Sequence, residues 1–269
     1  MELEIDLEKS VEENASLYFD KSKKSKKKLE GLMKAIDATK GKLEKLEGQK
    51  PAKGTGVPVK KAKKQWFQEF HWFKSSDGFL VVGGRSAKSN EIIVSRHLQK
   101  GDMFLHADIP GAAACVVKAE GREIPRGTLE EAAQFSAAYS RAWQAGISSV
   151  DVYAVPPEQV SKTPPSGMSL GKGSFMIYGK REWFKKTKLE LAVGVLNDRG
   201  SFSLVAGPRS AVEKQPAAFV VVKQGDMEKN AAAKKIFSML AKKAGSEFNI
   251  SLDEINTVLP AGGLAVAGG

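Results

Sequence analysis

The sequence predicts an α+β fold: a mixed sheet with packed helices, preceded by a long coiled-coil helix and followed by a small β-rich α+β unit. Three observations predict it. Apolar and small residues recur at steps of three and four from Ala15 to Leu46, short apolar runs broken by glycine turns begin at Trp66, and a second set of such runs begins near residue 187. The divisions that follow are a helical arm over 1–50, a basic linker over 51–64, a principal domain over 65–186 and a C-terminal extension over 187–269.

The arm opens at Ser10, with Glu13 at the capping-box spacing that lets two side chains satisfy orphan backbone donors. Its seam reads Ala15, Tyr18, Ser22, Ser25, Leu29, Leu32, Ile36, Thr39, Leu43 and Leu46, an a/d pattern that is small and polar in the middle. Gly31 and Gly41 each cost a helix about 1 kcal/mol relative to Ala. The arm is therefore expected to gain rigidity from a partner helix or from self-association. Gly48 and Pro51 end it, and QKPAKGTGVPVKKAKK has the composition of a tether.

In the principal domain, Asp77-Gly78 between two apolar runs signals a tight hairpin with positive φ at both central residues. Gly83-Gly84-Arg85 breaks the strand that follows, and Asn90 to Leu98 reads as a short helix. Alternation over Asp102 to Asp108 puts Met103, Leu105 and Ala107 on one face and Phe104, His106 and Asp108 on the other. Ala112 to Lys118 reads as a buried strand, and Thr128 with Glu131 as a second capping box starting a helix that runs to Gly146. Asp151 to Val155 and Phe175 to Tyr178 supply strands around the loop SKTPPSGMSLGKGS. The extension holds strands near Leu189 to Leu196, Phe202 to Ala206 and Phe219 to Val222, then a helix from Glu228 to Ala244. The closing AGGLAVAGG is expected to fray.

The formal charge is +11 and the pI is near 9.5, which points to a polyanionic partner. Residues 21–64 hold sixteen Lys and four acidic residues, so the rest of the chain is close to neutral. The bland reading of such a run is a solvated helix face, but KSKKSKKK has none of the acids that a charge-balanced helix interleaves. Cys115 stands alone in an apolar run and reads as a small core residue in a reducing cytoplasm. The acidic MELEIDLEKS lacks the apolar centre of a signal peptide, and no stretch approaches the roughly 18 apolar residues of a membrane span. A soluble cytoplasmic protein with no membrane partner is expected.

No HExxH, GxSxG, Walker A or dinucleotide fingerprint occurs, and His71, His97 and His106 have no metal-ligand spacing. No catalytic residue, metal site or cofactor is assigned, and the chain is read as a non-enzyme. His106 and Asp108 share a strand face and could orient an imidazole as a general base, which leaves an RNA-processing enzyme as an alternative. A histidine hydrogen-bonded within a turn is the commoner use of such a pair. A non-catalytic adaptor for a protein or acidic surface is a third reading.

An RNA-binding reading uses more of the chain, because single-stranded RNA is held by basic grooves with planar side chains for stacking. Arg85 follows a glycine pair, and Lys162, Lys172, Lys180 and Arg181 bracket a loop whose Gly171 and Gly173 can expose amides to phosphate. The candidate set adds Asn90, His106 and Lys118 in the domain and Lys24 and Lys27 on the arm. A lone Gly-Lys-Gly is as readily plain loop, so convergence of these groups on one face is what would matter.

The run WFQEFHWFKSSDGFLVVGGRSAKSNEIIVSRHLQKGDMFLHADIPGAAACVVK, followed by TLEEAAQFSAAYSRAW, VSKTPPSGMSLGKGSFMIYGK and REWF, resembles the RNA-binding domain of the NFACT family of ribosome quality-control factors over about residues 65–184. SVEENASLYFDKSKKSKKKLEGLMKAI is similar to the start of that family's coiled-coil arm, and residues 187–269 resemble its archaeal C-terminal extension. The resemblance implies RNA, tRNA and the large ribosomal subunit as partners during rescue of stalled translation. In the family, tail addition to the stalled chain depends mainly on an N-terminal domain and a helix-hairpin-helix region not contained in this sequence. Tail addition is therefore not expected of these residues alone.

Overall fold

The computed structural model describes residues 5–6, 9–48, 65–165, 167, 169–198, 201–215, 217–244 and 248–268, so the expected linker over 51–64 lies outside the described residues. Two compact units are present, residues 1–62 and 63–269. The first is built on helix α1 (Val11–Gly48), about 57 Å long at 1.5 Å per residue. Its start is capped as the sequence indicates: Glu13 N–H donates to Ser10 Oγ at 3.2 Å and Ser10 N–H donates to Glu13 Oε2 at 2.8 Å. Asn14 adds a second clasp, accepting from Asp6 N–H at 3.0 Å and donating to the backbone carbonyls of Asp6, Lys9 and Ser10. Leu29, Leu32 and Ile36 of the seam are each more than half exposed.

The second unit is α+β. Strands β1 (His71–Lys74), β2 (Leu80–Gly83), β3 (Met103–Ala107), β4 (Cys115–Val117) and β5 (Ser149–Val155) join β8 (Glu182–Lys188) in a six-stranded sheet of order β1-β2-β4-β3-β5-β8, antiparallel throughout. A small hairpin of β6 (Val160–Ser161) and β7 (Met176–Ile177) carries the 161–175 loop. Strands β9 (Glu190–Asp198), β10 (Ser201–Gly207), β11 (Ala217–Met227) and β12 (Leu264–Gly268) form a second antiparallel sheet of order β10-β9-β11-β12. The helices are α2 (Ala87–Ile92), α3 (Arg126–Ala138), α4 (Arg141–Gln144), α5 (Arg209–Glu213), α6 (Lys229–Ala244) and α7 (Leu252–Val258).

Alternation explains both faces of the first sheet. Leu105 and Ala107 enter one apolar cluster, which also takes Phe73, Phe135 and Trp143, while Phe104 enters a second with Phe70, Ile93 and Tyr153. The larger cluster continues without interruption into Leu191, Val193, Ile236 and Leu240 of the extension. The change of sheet near residue 187 is thus not a break in packing. Burying one such Phe or Leu contributes roughly 1.5–3 kcal/mol, so the extension is held on by a shared core. Close fits mark the junction: a Cβ on Gly207 would lie 2.8 Å from the Phe73 ring.

Several local expectations are corrected. Only Gly78 of the first hairpin has positive φ (81°); Ser75 N–H donates to Phe79 O and Gly78 N–H to Ser75 O, which makes a three-residue loop rather than a two-residue turn. Thr128 and Glu131 do not cap α3, because the helix already starts at Arg126 behind Pro125. They fasten it to the hairpin instead, Thr128 Oγ1 donating to Asp77 Oδ2 at 2.9 Å and Glu131 Oε2 accepting from Ser76 N–H at 2.8 Å. The short helix begins at Ala87 on a Ser86/Ser89 capping box and continues as a π turn over Ile93–His97. The expected fraying of the last residues is overturned over 264–268: β12 pairs with β11, and Leu264 is buried. Among the described residues no helix is long and apolar enough to cross a membrane.

Candidate nucleic-acid interface

A cleft of about 650 Å³ opens in the second unit. Its wall is built where β2 ends, where the 108–114 loop joins β3 to β4, at the α3–α4 corner and along the 172–175 loop, with Lys229 and residues 256–261 of the extension completing it. Four cations line it, Arg85, Arg141, Lys172 and Lys229, and none of the described lining residues is Asp or Glu. Unit charges about 4 Å apart interact by roughly 1 kcal/mol in water and by several times that where water is thinned, so such a wall favours an anion.

Glycine and serine chemistry places Arg85. Gly84 N–H donates to Ala114 O at 3.1 Å, and a Cβ on Gly84 would fall 1.8 Å from Asn90 Oδ1. The chain then turns into the Ser86 cap, with Arg85 N–H on Ser89 Oγ at 2.8 Å. The guanidinium donates through Nη2 to Phe70 O at 2.8 Å. Burial lowers the Arg85 pKa from its usual value, yet a guanidinium starts so high that it stays charged. Asn90 is buried and satisfied at both ends, Nδ2 donating to Ala112 O at 3.3 Å and Oδ1 accepting from Ala114 N–H at 3.1 Å. It holds the wall loop in place.

The opposite lip is fitted as closely. Gly173 has φ +79°, its N–H donates to Glu91 Oε1 at 3.1 Å, and a Cβ there would lie 2.6 Å from Ala87 Cα. Lys172 therefore leaves the loop from a fixed point, with an exposed side chain. Arg141 runs along Gly111, whose Cβ would stand 2.6 Å from its Nε. Lys229 Nζ donates to Leu259 O at 2.9 Å, and burial lowers its pKa.

Two histidines line the cleft. His71 stacks on Tyr139 at 3.9 Å, and burial, with Arg85 and Lys229 adding repulsion, pushes its pKa down to about 3. His106 lies 6.0 Å from the Tyr153 ring, between centroids. Burial lowers its pKa too, against the backbone at Ala107 and Ala112 and the Asp108 carboxylate. Both imidazoles are neutral at pH 7.

Beyond the cleft, a ladder of cations and rings runs along the edge strand. Arg181, Trp183 and Lys185 occupy alternate positions, with the Arg181 guanidinium 4.7 Å from the Tyr153 ring and Lys185 Nζ 4.2 Å from the Trp183 ring. Tyr153 and Trp183 meet edge-on at 5.6 Å. Such planes are the usual platform for unstacked bases.

Of the residues singled out from sequence, Arg85, Asn90, His106 and Lys172 come together in the cleft. Arg181 belongs to the ladder, with exposed Lys180 beside it in sequence. Lys162 is exposed on the 161–175 loop and donates to Glu91 O at 3.3 Å. Lys24 and Lys27 are exposed on α1. Lys118 is a correction: its ammonium is buried, donating to His97 O at 2.6 Å, to Gln99 Oε1 at 3.2 Å and to the Asp102 carboxylate, so it is occupied in holding β3 and β4. Sequence reasoning missed His71, Arg141, Trp183 and Lys229. Trp183 was legible from its position between two cations, whereas the others are assembled only by tertiary packing. Among the described residues no group of His, Cys, Asp and Glu could hold a metal.

Residues 69–179 match the model of the NFACT protein RNA binding domain. The chain is 38% identical over 203 residues to the archaeal Rqc2 homolog aRqcH of Methanocaldococcus jannaschii, covering 76% of this chain and 29% of that protein. It is 37% identical over 199 residues to the Drosophila melanogaster homolog of ribosome quality control complex subunit NEMF, covering 72% and 20%. To the Homo sapiens subunit NEMF it is 39% identical over 186 residues, covering 68% and 17%. The chain thus spans less than a third of the length of these relatives.

Proposed function

This chain belongs to the NFACT family through its RNA-binding domain, and we propose that it is the module by which a cytoplasmic ribosome quality-control factor holds tRNA and the RNA of the large ribosomal subunit. The observation that carries this reading is the cleft lined by four cations and, among the described residues, by no Asp or Glu, most of it within the matched domain. Arg85, held by Gly84 and the Ser86 cap, and Lys172, held by Gly173, contact phosphate. Neutral His106 and the Arg181–Trp183–Lys185 ladder stack or hydrogen-bond unpaired bases, and Lys162 and Lys180 add charge on that side. Asn90 acts by holding the wall loop. The exposed Lys24 and Lys27 of the arm supply charge that attracts any phosphate backbone without reading it.

The names of the relatives support the ribosomal setting. Crosslinking of the chain to RNA in cells, followed by sequencing, tests it. Crosslinks concentrated on tRNA and large-subunit rRNA, and reduced by the Arg85→Ala and Arg181→Ala substitutions together, are expected. Crosslinks spread in proportion to RNA abundance and insensitive to both substitutions would overturn the assignment.

A further inference from the structure

The cleft wall contains more than cations. Two of its polar atoms, His71 Nδ1 and Asn256 Oδ1, are buried and have no hydrogen-bond partner among the described residues. Leaving a buried polar group unsatisfied costs about 1–3 kcal/mol, so such groups in a cleft point to a ligand. The Asn256 oxygen accepts only. His71, held neutral by its surroundings, offers at Nδ1 a single donor or acceptor, according to which ring nitrogen carries the proton. Cations around a cleft call for phosphate; an unpartnered amide oxygen and imidazole nitrogen beside them call for hydroxyl groups, which both donate and accept.

One of the four cations and one of the two unpartnered side chains lie outside the matched domain. Lys229, Asn256 and the 257–261 segment belong to the extension. They are fixed to the α3–α4 corner by Tyr139 Oη donating to Val258 O at 2.6 Å and Trp143 Nε1 donating to Gly263 O at 3.1 Å. Gln224 Nε2 adds bonds to the carbonyls of Ala142, Trp143 and Ile147. The size of the cleft is that of a small-ligand pocket, roughly 300–1,000 Å³. That accommodates one nucleotide and excludes a duplex.

Resting on the RNA-binding reading above, we propose that the extension completes a pocket for a single phosphorylated ribonucleoside unit. Arg85, Arg141, Lys172 and Lys229 surround its phosphate, Asn256 Oδ1 accepts from one of its hydroxyls, and His71 Nδ1 hydrogen-bonds to a hydroxyl. The unit is either one nucleotide of an RNA strand turned out of its stack or a free mononucleotide; the chemistry recognised is the same.

Calorimetric titration of the full chain with AMP, dAMP, inorganic phosphate and the tetranucleotide r(A)4, beside a tRNA binding assay, tests this. Lys229→Gln keeps a donor for Leu259 O, and Asn256→Leu removes the acceptor, so neither opens the fold by design. AMP should bind more tightly than dAMP and than phosphate; Lys229→Gln should weaken AMP by about tenfold, the scale of one charge-assisted hydrogen bond, and Asn256→Leu by roughly three- to tenfold, the scale of a neutral one. Tighter binding of r(A)4 than of AMP assigns the unit to a strand; equal or weaker binding assigns it to a free nucleotide. If tRNA binds while AMP and r(A)4 show no response to either substitution, or AMP binds no better than dAMP or phosphate, the pocket proposal fails and the RNA-binding reading stands. If the wild-type chain binds no tRNA, that reading itself fails.

Discussion

Tyr139 joins the two halves of the second unit: its hydroxyl donates to Val258 O at 2.6 Å while its ring stacks on His71 at 3.9 Å. Burial raises the Tyr139 pKa well above its usual value, so the hydroxyl remains a donor at neutral pH. Tyr139→Phe keeps the stack and strips the Val258 carbonyl of its donor. The expected loss is about 1–3 kcal/mol, read as a lower urea midpoint, with the larger change in hydrogen exchange falling on residues 252–261. Unchanged exchange there would show that Trp143 and Gln224 hold the extension without it.

Stability should depend on His71 in acid. Its pKa in the fold, about 3, lies below the ordinary 6.5, so between those values the unfolded chain binds the extra proton. The contribution is therefore complete above pH 6.5 and is lost as pH falls toward 3. At pH 4.5 the loss attributable to this residue is roughly 2–3 kcal/mol by linkage. His106, shifted in the same direction, acts with the same sign. Urea midpoints at pH 7.5 and 4.5 should differ less in His71→Phe than in the wild type; equal differences would remove His71 as the titrating group.

Lys118 and Asp102 supply a third outcome. The buried pair joins the start of β3 to the end of β4 through the Lys118 ammonium, and Asp102 Oδ1 also accepts from Ala119 N–H at 2.9 Å. Removing one member leaves a buried charge alone, which costs about 3–5 kcal/mol. Lys118→Met should fall near that figure by chemical denaturation, and Asp102→Asn in the same chain should recover part of it. The double variant, once folded, should bind tRNA like the wild type, because the buried Lys118 ammonium is taken up by His97, Gln99 and Asp102. A selective loss of tRNA affinity in a fully folded double variant would return Lys118 to the interface.

What the sequence made legible follows the range of the forces involved. The Ser10 cap, the faces of Phe104 and Leu105 and the buried Cys115 depend on neighbours two to four positions away, and they are found as expected. Thr128 and Glu131 have capping-box spacing but spend their hydrogen bonds on Asp77, Ser76 and Ser210. That use is decided by tertiary contact and has no local signature. The last strand failed for the same reason: LAVAG has little to mark it as ordered until β11 offers its edge. In the cleft, Arg85 was visible because Gly84 precedes it. Lys229 and Asn256 were not, since only the folded extension brings them to residues more than a hundred positions earlier.

The uneven charge leads to the last expectation. Sixteen of the chain's lysines lie in residues 21–64, and each phosphate contact contributes a slope of roughly −0.7 to −0.9 in log affinity against log salt. Replacing Lys24 and Lys27 by Gln in the full chain removes two exposed charges without disturbing a helix of good propensity. Affinity for tRNA and for generic RNA should fall together, and the slope should become shallower by about one to two units if both lysines meet phosphate. Arg85→Ala acts differently, because its guanidinium is fixed by Phe70 O inside a shaped cleft. It should lower tRNA affinity more than generic RNA affinity and change the slope by at most about one contact. Fluorescence anisotropy from 50 to 300 mM salt, a range set to bracket roughly physiological screening, separates the two behaviours. If the Lys24 and Lys27 substitutions leave the slope unchanged, those lysines are a solvated helix face; if they alter the tRNA preference, selectivity resides in the arm and not in the cleft.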